Sequence, residues 1–287
     1  MNCALAAVGF ISGDLEYNKH KILDTMQQYA ATADVILFGE AFLQGFYGTN
    51  FEAAHDEQIA VAADSTIIQE IRIAAKQYGI AVSFGFIEKD GHRFYSSQIT
   101  INRCGEIIDL FRRVSPGWKE AYADDHYCEG NNLHTFLFLG RRIAIGLCGD
   151  LWYEENAAKM RALSPDILFW PVYTDFLFSE WNTSIKLEYA AQAKLLGRKV
   201  LYVNSYCLDG VEGRDAQGGA ALFEDGQIAK EIPAGQESVL LVEVWRCNTL
   251  QIISQCRKKD VGCCAALLFS AIPFPSQLQS WFRKKPP

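Results

Sequence analysis

Cys148 and Glu40 have the chemistry of a nucleophile and a general base. Cys148 ends the apolar run RIAIGLC and is followed by Gly149 and Asp150. A thiol at the carboxyl end of a strand, with a helix beginning soon after, lies where open α/β sheets build their sites. Backbone N–H groups at such a helix start lower a thiol pKa and stabilise an oxyanion. The alternative is a buried core cysteine, which is the common fate of this residue type.

Glu40 has the same placement at the end of the run DVILFGE. A carboxylate held against apolar neighbours has a raised pKa and can accept a proton near neutral pH. Its alternative roles are a helix cap or a surface salt bridge. The pattern therefore predicts a candidate general base at a second strand end.

A loop rich in charged residues lies between these two positions. The stretch LFRRVSPGWKEAYADDHYCEGN contains several acids and bases beside Gly and Pro, among them Arg112, Arg113, Lys119, Glu120, Asp124 and Asp125. A cation from this loop, placed near the thiol, would bind a tetrahedral oxyanion. The alternative is an ordinary solvated loop.

The elements that must position these residues alternate between strand and helix. Amphipathic segments predict helices over residues 15–32, 64–79, 155–165 and 181–197, and apolar segments rich in Val, Ile and Phe lie between them. Strands that are apolar on both faces indicate an α/β fold with helices covering the sheets. Because the alternation stops after Trp245, we predict one domain over residues 1–245 and a basic, Cys-containing appendage over residues 246–287.

Composition excludes several classes of function. A net charge of −7 disfavours nucleic-acid binding, and no apolar run is long enough to cross a bilayer. Nine cysteines without CxxC pairs or zinc spacing favour a reducing cytoplasm. The motifs GxxxxGK[ST], HExxH and GxGxxG do not occur, so we expect no cofactor and no metal.

Three motifs in chain order carry a resemblance to a known family. GEAFLQGF, then FRRVSPGWKE with YCEG, then GLCGDLWYEE each follow a predicted strand. The set resembles the nitrilase superfamily of carbon–nitrogen hydrolases, whose members have a strand-end Glu, a Lys after an aromatic–Arg pair, and a Cys-x-Asp turn with a Glu shortly after. The spacing of Cys148, Asp150 and Glu155 matches the last signature, and the resemblance covers residues 1–245.

The resemblance implies a four-layer α/β/β/α sandwich of the nitrilase type that forms a homodimer or higher homo-oligomer through helices near the nucleophile. It also implies a Glu-Lys-Cys triad. Glu40 would take the thiol proton, Cys148 would attack a carbonyl or nitrile carbon, and water would hydrolyse the resulting thioester. The Gly149 N–H would help to bind the oxyanion.

The sequence departs from the family pattern at the lysine. Arg113 occupies the position that follows Phe111-Arg112, and its planar guanidinium is a poor substitute for a compact ammonium. Either Lys119 folds back into the site or Arg113 supplies the cation. We prefer Lys119, because Pro116 and Gly117 would let the loop turn. Glu120 would then match a second carboxylate that family members use to orient substrate and lysine.

The leading hypothesis is a hydrolase of a small amide, carbamoyl amide or nitrile, acting in the cytoplasm without nucleic-acid or membrane partners. Four aromatic residues near the motifs are candidates for the pocket wall: Tyr47, Trp118, Trp152 and Tyr173. Two alternatives stay open. The same fold could transfer an acyl group to an amine, or the protein could be a catalytically weak binding or scaffold protein that lost its lysine.

Overall fold

The structure is a computed structural model that describes residues 1–197, 199–211 and 214–244. Two six-stranded sheets pack face to face, and helices cover the outer face of each sheet. This four-layer α/β/β/α sandwich is the predicted fold. The predicted appendage over residues 246–287 lies outside the described residues.

The first sheet has the strand order β14-β1-β3-β4-β5-β6. Its central strands β1, β3 and β4 run parallel, and the others pair antiparallel. Their bounds are β1 Asn2–Ala7, β3 Val35–Phe38, β4 Ala81–Asp90, β5 Arg93–Ile101, β6 Ile107–Arg112 and β14 Ser238–Glu243.

The second sheet has the order β13-β12-β10-β9-β8-β7, with β8, β9 and β10 parallel. A two-stranded pair of β2 and β11 joins residues that follow β1 and β10. The bounds are β7 Thr135–Phe138, β8 Arg141–Ile145, β9 Ile167–Val172, β10 Lys199–Asn204, β12 Gly218–Glu224, β13 Gln227–Ala234, β2 Gly9–Phe10 and β11 Tyr206–Cys207.

Helical structure occupies each of the four predicted segments, and two short α-helices lie outside them. The α-helices are α1 Leu15–Tyr29, α2 Ala53–Asp56, α3 Thr66–Tyr78, α4 Glu154–Leu163, α5 Phe178–Glu180 and α6 Lys186–Leu196. The side chain of Asp14 caps α1 by accepting from the Tyr17 N–H, and Gly79 ends α3 at φ 67°. One π-helical turn, Trp181–Ile185, joins α5 to α6. No helix in the described ranges has the length and hydropathy of a bilayer-spanning segment.

Successive side chains of β1 face opposite sides of the first sheet and contribute to two different cores. Cys3, Leu5 and Ala7 face the second sheet and join the core between the sheets. Ala4 and Ala6 face the other way and join the core that packs against α1 and α3. Because successive strand residues point to opposite faces, a strand that is apolar throughout must be covered on both sides.

The last strand, β14, completes the first sheet rather than the second. The hairpin from β12 to β13 turns through Asp225 and Gly226, both at positive φ. The next segment, ESVLLVEV, leaves the second sheet and forms β14, which pairs antiparallel with β1. Its apolar alternation fits either sheet, so the sequence pattern alone could not assign the partner.

Candidate active site

Glu40 lies two residues beyond β3, in the space between the two sheets, and is completely buried. Its Oε1 accepts from Ser96 Oγ at 2.7 Å and from Arg113 Nη1 at 3.0 Å. Its backbone N–H donates across to the carbonyl of Val172 at the end of β9. A Cβ on Gly85 would lie 2.3 Å from the Ala41 nitrogen, so glycine lets β4 pass directly beneath Glu40.

Arg113 is the cation that the structure brings to Glu40. It follows β6 directly, is 5% exposed, and places Nη1 within 3.3 Å of both carboxylate oxygens. Its Nε donates to Ser115 Oγ, so the guanidinium is held on two sides. Burial lowers the pKa of Arg113, but the neighbouring Glu40, Cys148 and Asp150 outweigh it, and the net pKa lies above its ordinary value.

Lys119 is engaged elsewhere. Its Nζ donates to the Tyr127 carbonyl and lies 3.0 Å from the Glu129 carboxylate. Among the described residues, Arg113 rather than Lys119 is the cation in contact with Glu40. Pro116 and Gly117 do turn the loop, but they turn it toward Glu129. Glu120 is exposed and lies near Tyr47 rather than against either cation.

Cys148 lies at the start of a short 3₁₀ turn, Cys148–Trp152, that follows β8. Its φ is 40°, a left-handed conformation that costs a non-glycine residue of the order of 1–2 kcal/mol. Its Sγ contacts the carbonyl of Tyr173 at 3.6 Å. A Cβ on Gly149 would lie 2.6 Å from Arg113 Nη2, so the guanidinium lies against the residue that follows the nucleophile.

Asp150 joins the nucleophile turn to the loop that carries Arg113. One carboxylate oxygen accepts from the Val114 and Ser115 N–H groups at 3.0 and 2.7 Å. The other accepts from the Leu147 N–H at 3.0 Å. This carboxylate is completely buried, and burial raises the pKa of Asp150 to about 6. Asp150 therefore fixes the distance between Cys148 and Arg113.

The thiol is protonated at neutral pH in this environment. Burial and, to a smaller extent, the Glu40 carboxylate raise the pKa of Cys148 to about 12, while Arg113 acts in the opposite direction. A resting thiol needs a base to become a nucleophile. Glu40 can act as that base, because its Oε2 has only the longer 3.3 Å contact with Arg113.

The four aromatic residues that were predicted to line the pocket lie in different environments in the structure. Tyr173 contacts the thiol through its backbone carbonyl, while its hydroxyl donates to Asp215. Tyr47 is exposed and donates to the Arg214 carbonyl. Trp118 is buried in a separate aromatic cluster with Phe46, Phe51 and Tyr127. Trp152 is half-exposed and packs on Trp170 and Tyr189.

Two residues near the centre were missed by the sequence argument. Ser96, on β5, donates to Glu40, and the run of polar residues Ser96, Ser97 and Gln98 within a strand was a usable signal, because buried polar groups need partners. Trp170, on β9, donates from Nε1 to the Cys148 carbonyl at 2.9 Å. Nothing in the run DILFWPVY distinguishes that tryptophan from an ordinary core residue.

Taken together, a buried carboxylate, a buried guanidinium and a thiol converge where the ends of β3, β6 and β8 meet. The arrangement can deprotonate a thiol, hold positive charge beside the carbon it attacks, and present backbone N–H groups at the start of a turn. Glu155 is not part of it, since this exposed residue pairs with Lys159 on α4.

Comparison with known proteins gives the same family as the sequence motifs. An (R)-stereoselective amidase from Pseudomonas sp. is 27% identical over 168 residues, which span 58% of each chain. An N-carbamoylputrescine amidase from Solanum lycopersicum is 27% identical over 48% of this chain and 47% of its own. The chain thus spans about half the length of these curated relatives.

A solved structure shares the fold. A mutant of the Nesterenkonia AN1 amidase, from the nitrilase superfamily, superposes with a TM-score of 0.68 at 18% identity, covering 84% of this chain and 90% of that one. At this identity the likeness establishes the fold alone. The family model described as carbon-nitrogen hydrolase matches residues 4–250. The chain therefore belongs to the carbon–nitrogen hydrolase family.

Proposed function

We propose that this protein hydrolyses a carbon–nitrogen bond of a small amide through a thioester on Cys148. The observation that supports this most directly is the buried ion pair of Glu40 and Arg113, which lies against the Cys148–Gly149 turn. Burial makes such a pair expensive to maintain for stability alone. A catalytic role gives a reason for its presence beside a thiol.

In the first half of the proposed reaction, Glu40 takes the thiol proton as Cys148 Sγ bonds to the amide carbon. The carbonyl oxygen becomes an oxyanion, which receives hydrogen bonds from the Gly149 N–H and positive charge from Arg113. The intermediate collapses by breaking the carbon–nitrogen bond. Glu40 returns its proton to the leaving nitrogen, and ammonia or an amine departs from a thioester.

In the second half, Glu40 takes a proton from water as the water oxygen attacks the thioester carbon. The second oxyanion uses the same donors. Breaking the carbon–sulfur bond releases a carboxylic acid, and the proton on Glu40 returns to sulfur. Each half is redox-neutral and needs no cofactor.

The substrate class within this proposal is an amide or a carbamoyl amide. The two relatives reported above are an amidase and an N-carbamoylputrescine amidase, and their names support these two classes. Arg113 serves amide and carbamoyl carbonyls equally, because both develop charge on one oxygen. A nitrile develops charge on nitrogen and stays in the test panel.

Ammonia release from a panel of small amides, carbamoyl compounds and nitriles tests the proposal. We expect turnover by the native protein and loss of more than about 10³-fold with Cys148→Ala, the order seen when a nucleophile is removed. Cys128→Ala is the matched control, because Cys128 is a free thiol whose Sγ donates to the Asp125 carbonyl. Mass spectrometry after rapid mixing should detect the acyl group on Cys148.

Other results of the same experiments would support the acyl-transferase or the scaffold hypothesis instead. If amines accelerate loss of substrate and appear in the product, the protein is an acyl transferase. If no compound turns over, and Cys148 reacts with iodoacetamide no faster than Cys128, the scaffold hypothesis replaces this proposal. Persistent turnover in Cys148→Ala would contradict the mechanism outright.

We also propose a homodimer formed through the face of α4 and α6. Large apolar side chains are exposed on and beside these helices: Trp152, Tyr153, Leu187 and Leu195. Light scattering should give about twice 32.2 kDa for the native protein. Leu187→Glu should shift the mass toward the monomer, while Ile73→Glu, an equally exposed site on α3, should not. A native mass of one chain at micromolar concentration would refute this.

A further inference from the structure

The carbonyl oxygen of Cys148 is held by a side chain from the neighbouring strand. Trp170 Nε1 donates to it at 2.9 Å, and the indole is completely buried. Cys148 needs such a contact, because its φ of 40° is a conformation that persists only when surrounding structure enforces it. The hydrogen bond is one of the interactions that enforce it.

Holding this carbonyl also sets the direction of the next N–H. The peptide between Cys148 and Gly149 is planar and trans, so its C=O and N–H point in opposite directions within one plane. When Trp170 fixes the C=O on the β9 side, the Gly149 N–H must point away from β9. A rotation of this peptide would turn the N–H away from any oxyanion and leave the indole N–H buried without a partner.

The indole itself has little freedom to move. Its ring packs on Tyr189 at 4.8 Å, on Trp152 at 5.8 Å and on Tyr202 at 6.5 Å between centroids. Three residues further along the chain, the Tyr173 carbonyl accepts from the Cys148 thiol. Residues 170 and 173 therefore hold two separate parts of Cys148, its backbone and its sulfur.

We propose that Trp170 is a positioning residue, whose indole N–H orients the Cys148–Gly149 peptide so that the Gly149 N–H meets the oxyanion. This inference rests on the proposed function for its link to turnover. The orientation of the Gly149 N–H by Trp170 can also be tested separately, with a ligand that binds at the oxyanion site without being hydrolysed.

Trp170→Phe removes the N–H and keeps an aromatic ring in the cluster. Trp181→Phe is the matched control, because Trp181 is also buried and stacked on Tyr202, but its Nε1 has no hydrogen-bond partner among the described residues. We expect Trp170→Phe to lower kcat by about 10- to 100-fold, approaching the loss of one oxyanion donor, with KM within about threefold. Trp181→Phe should lower kcat by no more than about threefold.

Propionaldehyde is the probe that separates this inference from the hydrolase mechanism. The thiol adds to the aldehyde carbon, the carbon–sulfur bond forms, and the thiol proton passes through Glu40 to the new oxygen, which occupies the oxyanion site as a hemithioacetal. Binding is measured as protection of Cys148 from iodoacetamide, followed by peptide mass spectrometry. We expect propionaldehyde to bind Trp170→Phe about tenfold or more weakly than the native protein, with the unprotected alkylation rate within about twofold, because the groups around the sulfur are unchanged.

Each outcome decides the question. If native protein turns over no amide but binds propionaldehyde more tightly than Trp170→Phe does, the proposed function fails and the positioning role stands. If Trp170→Phe and Trp181→Phe bind propionaldehyde equally, or native protein does not bind it at all, the positioning role is overturned.

Discussion

Replacing Arg113 with alanine is expected to lower turnover by at least about 10³-fold. One oxyanion donor is worth about 10²- to 10³-fold, and the base would also lose its positioning contact. The same change leaves Glu40 buried with Ser96 as its remaining hydrogen-bond donor, which should lower the free energy of unfolding by about 3–5 kcal/mol. Ammonia release at saturating substrate and urea unfolding, measured on the same preparation, check both effects.

Arg113→Lys and Lys119→Ala complete this experiment. Lysine restores the charge but cannot contact Glu40 and Ser115 together, so we expect turnover between those of the native protein and Arg113→Ala. Lys119 pairs with a partly exposed Glu129, and Lys119→Ala should change turnover by less than about threefold and stability by less than about 1 kcal/mol. Loss of turnover in Lys119→Ala with full turnover in Arg113→Ala would reverse the assignment of the cation.

Replacing Asp150 with alanine is expected to have the largest effect on stability outside the ion pair. Three buried N–H groups, those of Leu147, Val114 and Ser115, would lose their acceptor. At about 1–3 kcal/mol for each unsatisfied group, partly relieved by relaxation, we expect a loss of about 3 kcal/mol or more. In a domain of this size that corresponds to a melting temperature lower by about 6–12 °C. Asp24→Ala, at an exposed position on α1, is the control and should not shift it.

Asp150 also predicts a pH dependence of stability with a definite sign. Because burial raises the folded-state pKa of Asp150 from its ordinary value of 3.8 to about 6, the folded chain binds an extra proton between these two pH values. The stabilisation that this proton uptake gives the folded state is therefore present below about pH 4, and it is lost as the pH rises to about 6. The stability advantage of the native protein over Asp150→Asn should shrink across this window and stay constant above it. An advantage that grows with pH, measured by urea unfolding, would contradict the assignment.

The layered fold could be predicted from sequence because both of its signals are local. Strands apolar on both faces, as in β3 and β9, require cover on two sides, and the amphipathic helices α1 and α3 supply cover with caps at recognisable residues. The partner of β14 could not be predicted, because its apolar pattern carries no information on which sheet edge it completes.

The site was predictable where it depends on strand ends and unpredictable where it depends on loops. Glu40 and Cys148 each follow a buried strand, one in each sheet, and the packing of the two sheets brings these strand ends close to each other. The partner of each cation could not be predicted, because Arg113 contacts Glu40, which is distant in sequence, whereas Lys119 contacts Glu129 nearby. The sequence argument preferred Lys119, and the tertiary contact instead supports the proposal that Arg113 supplies the cation.

The order in which the sheets are completed has a consequence for synthesis of the protein. The first sheet supplies Glu40 and Arg113, the second supplies Cys148, and the first sheet stays one strand short until residues 238–243 emerge. A ribosome-bound chain that already contains Glu40, Arg113 and Cys148 thus still lacks β14, the edge strand that pairs antiparallel with β1. Because the first sheet is incomplete until β14 is synthesised, we expect a fragment that ends before β14 to be bound by chaperones or degraded by proteases. We do not expect such a fragment to be active.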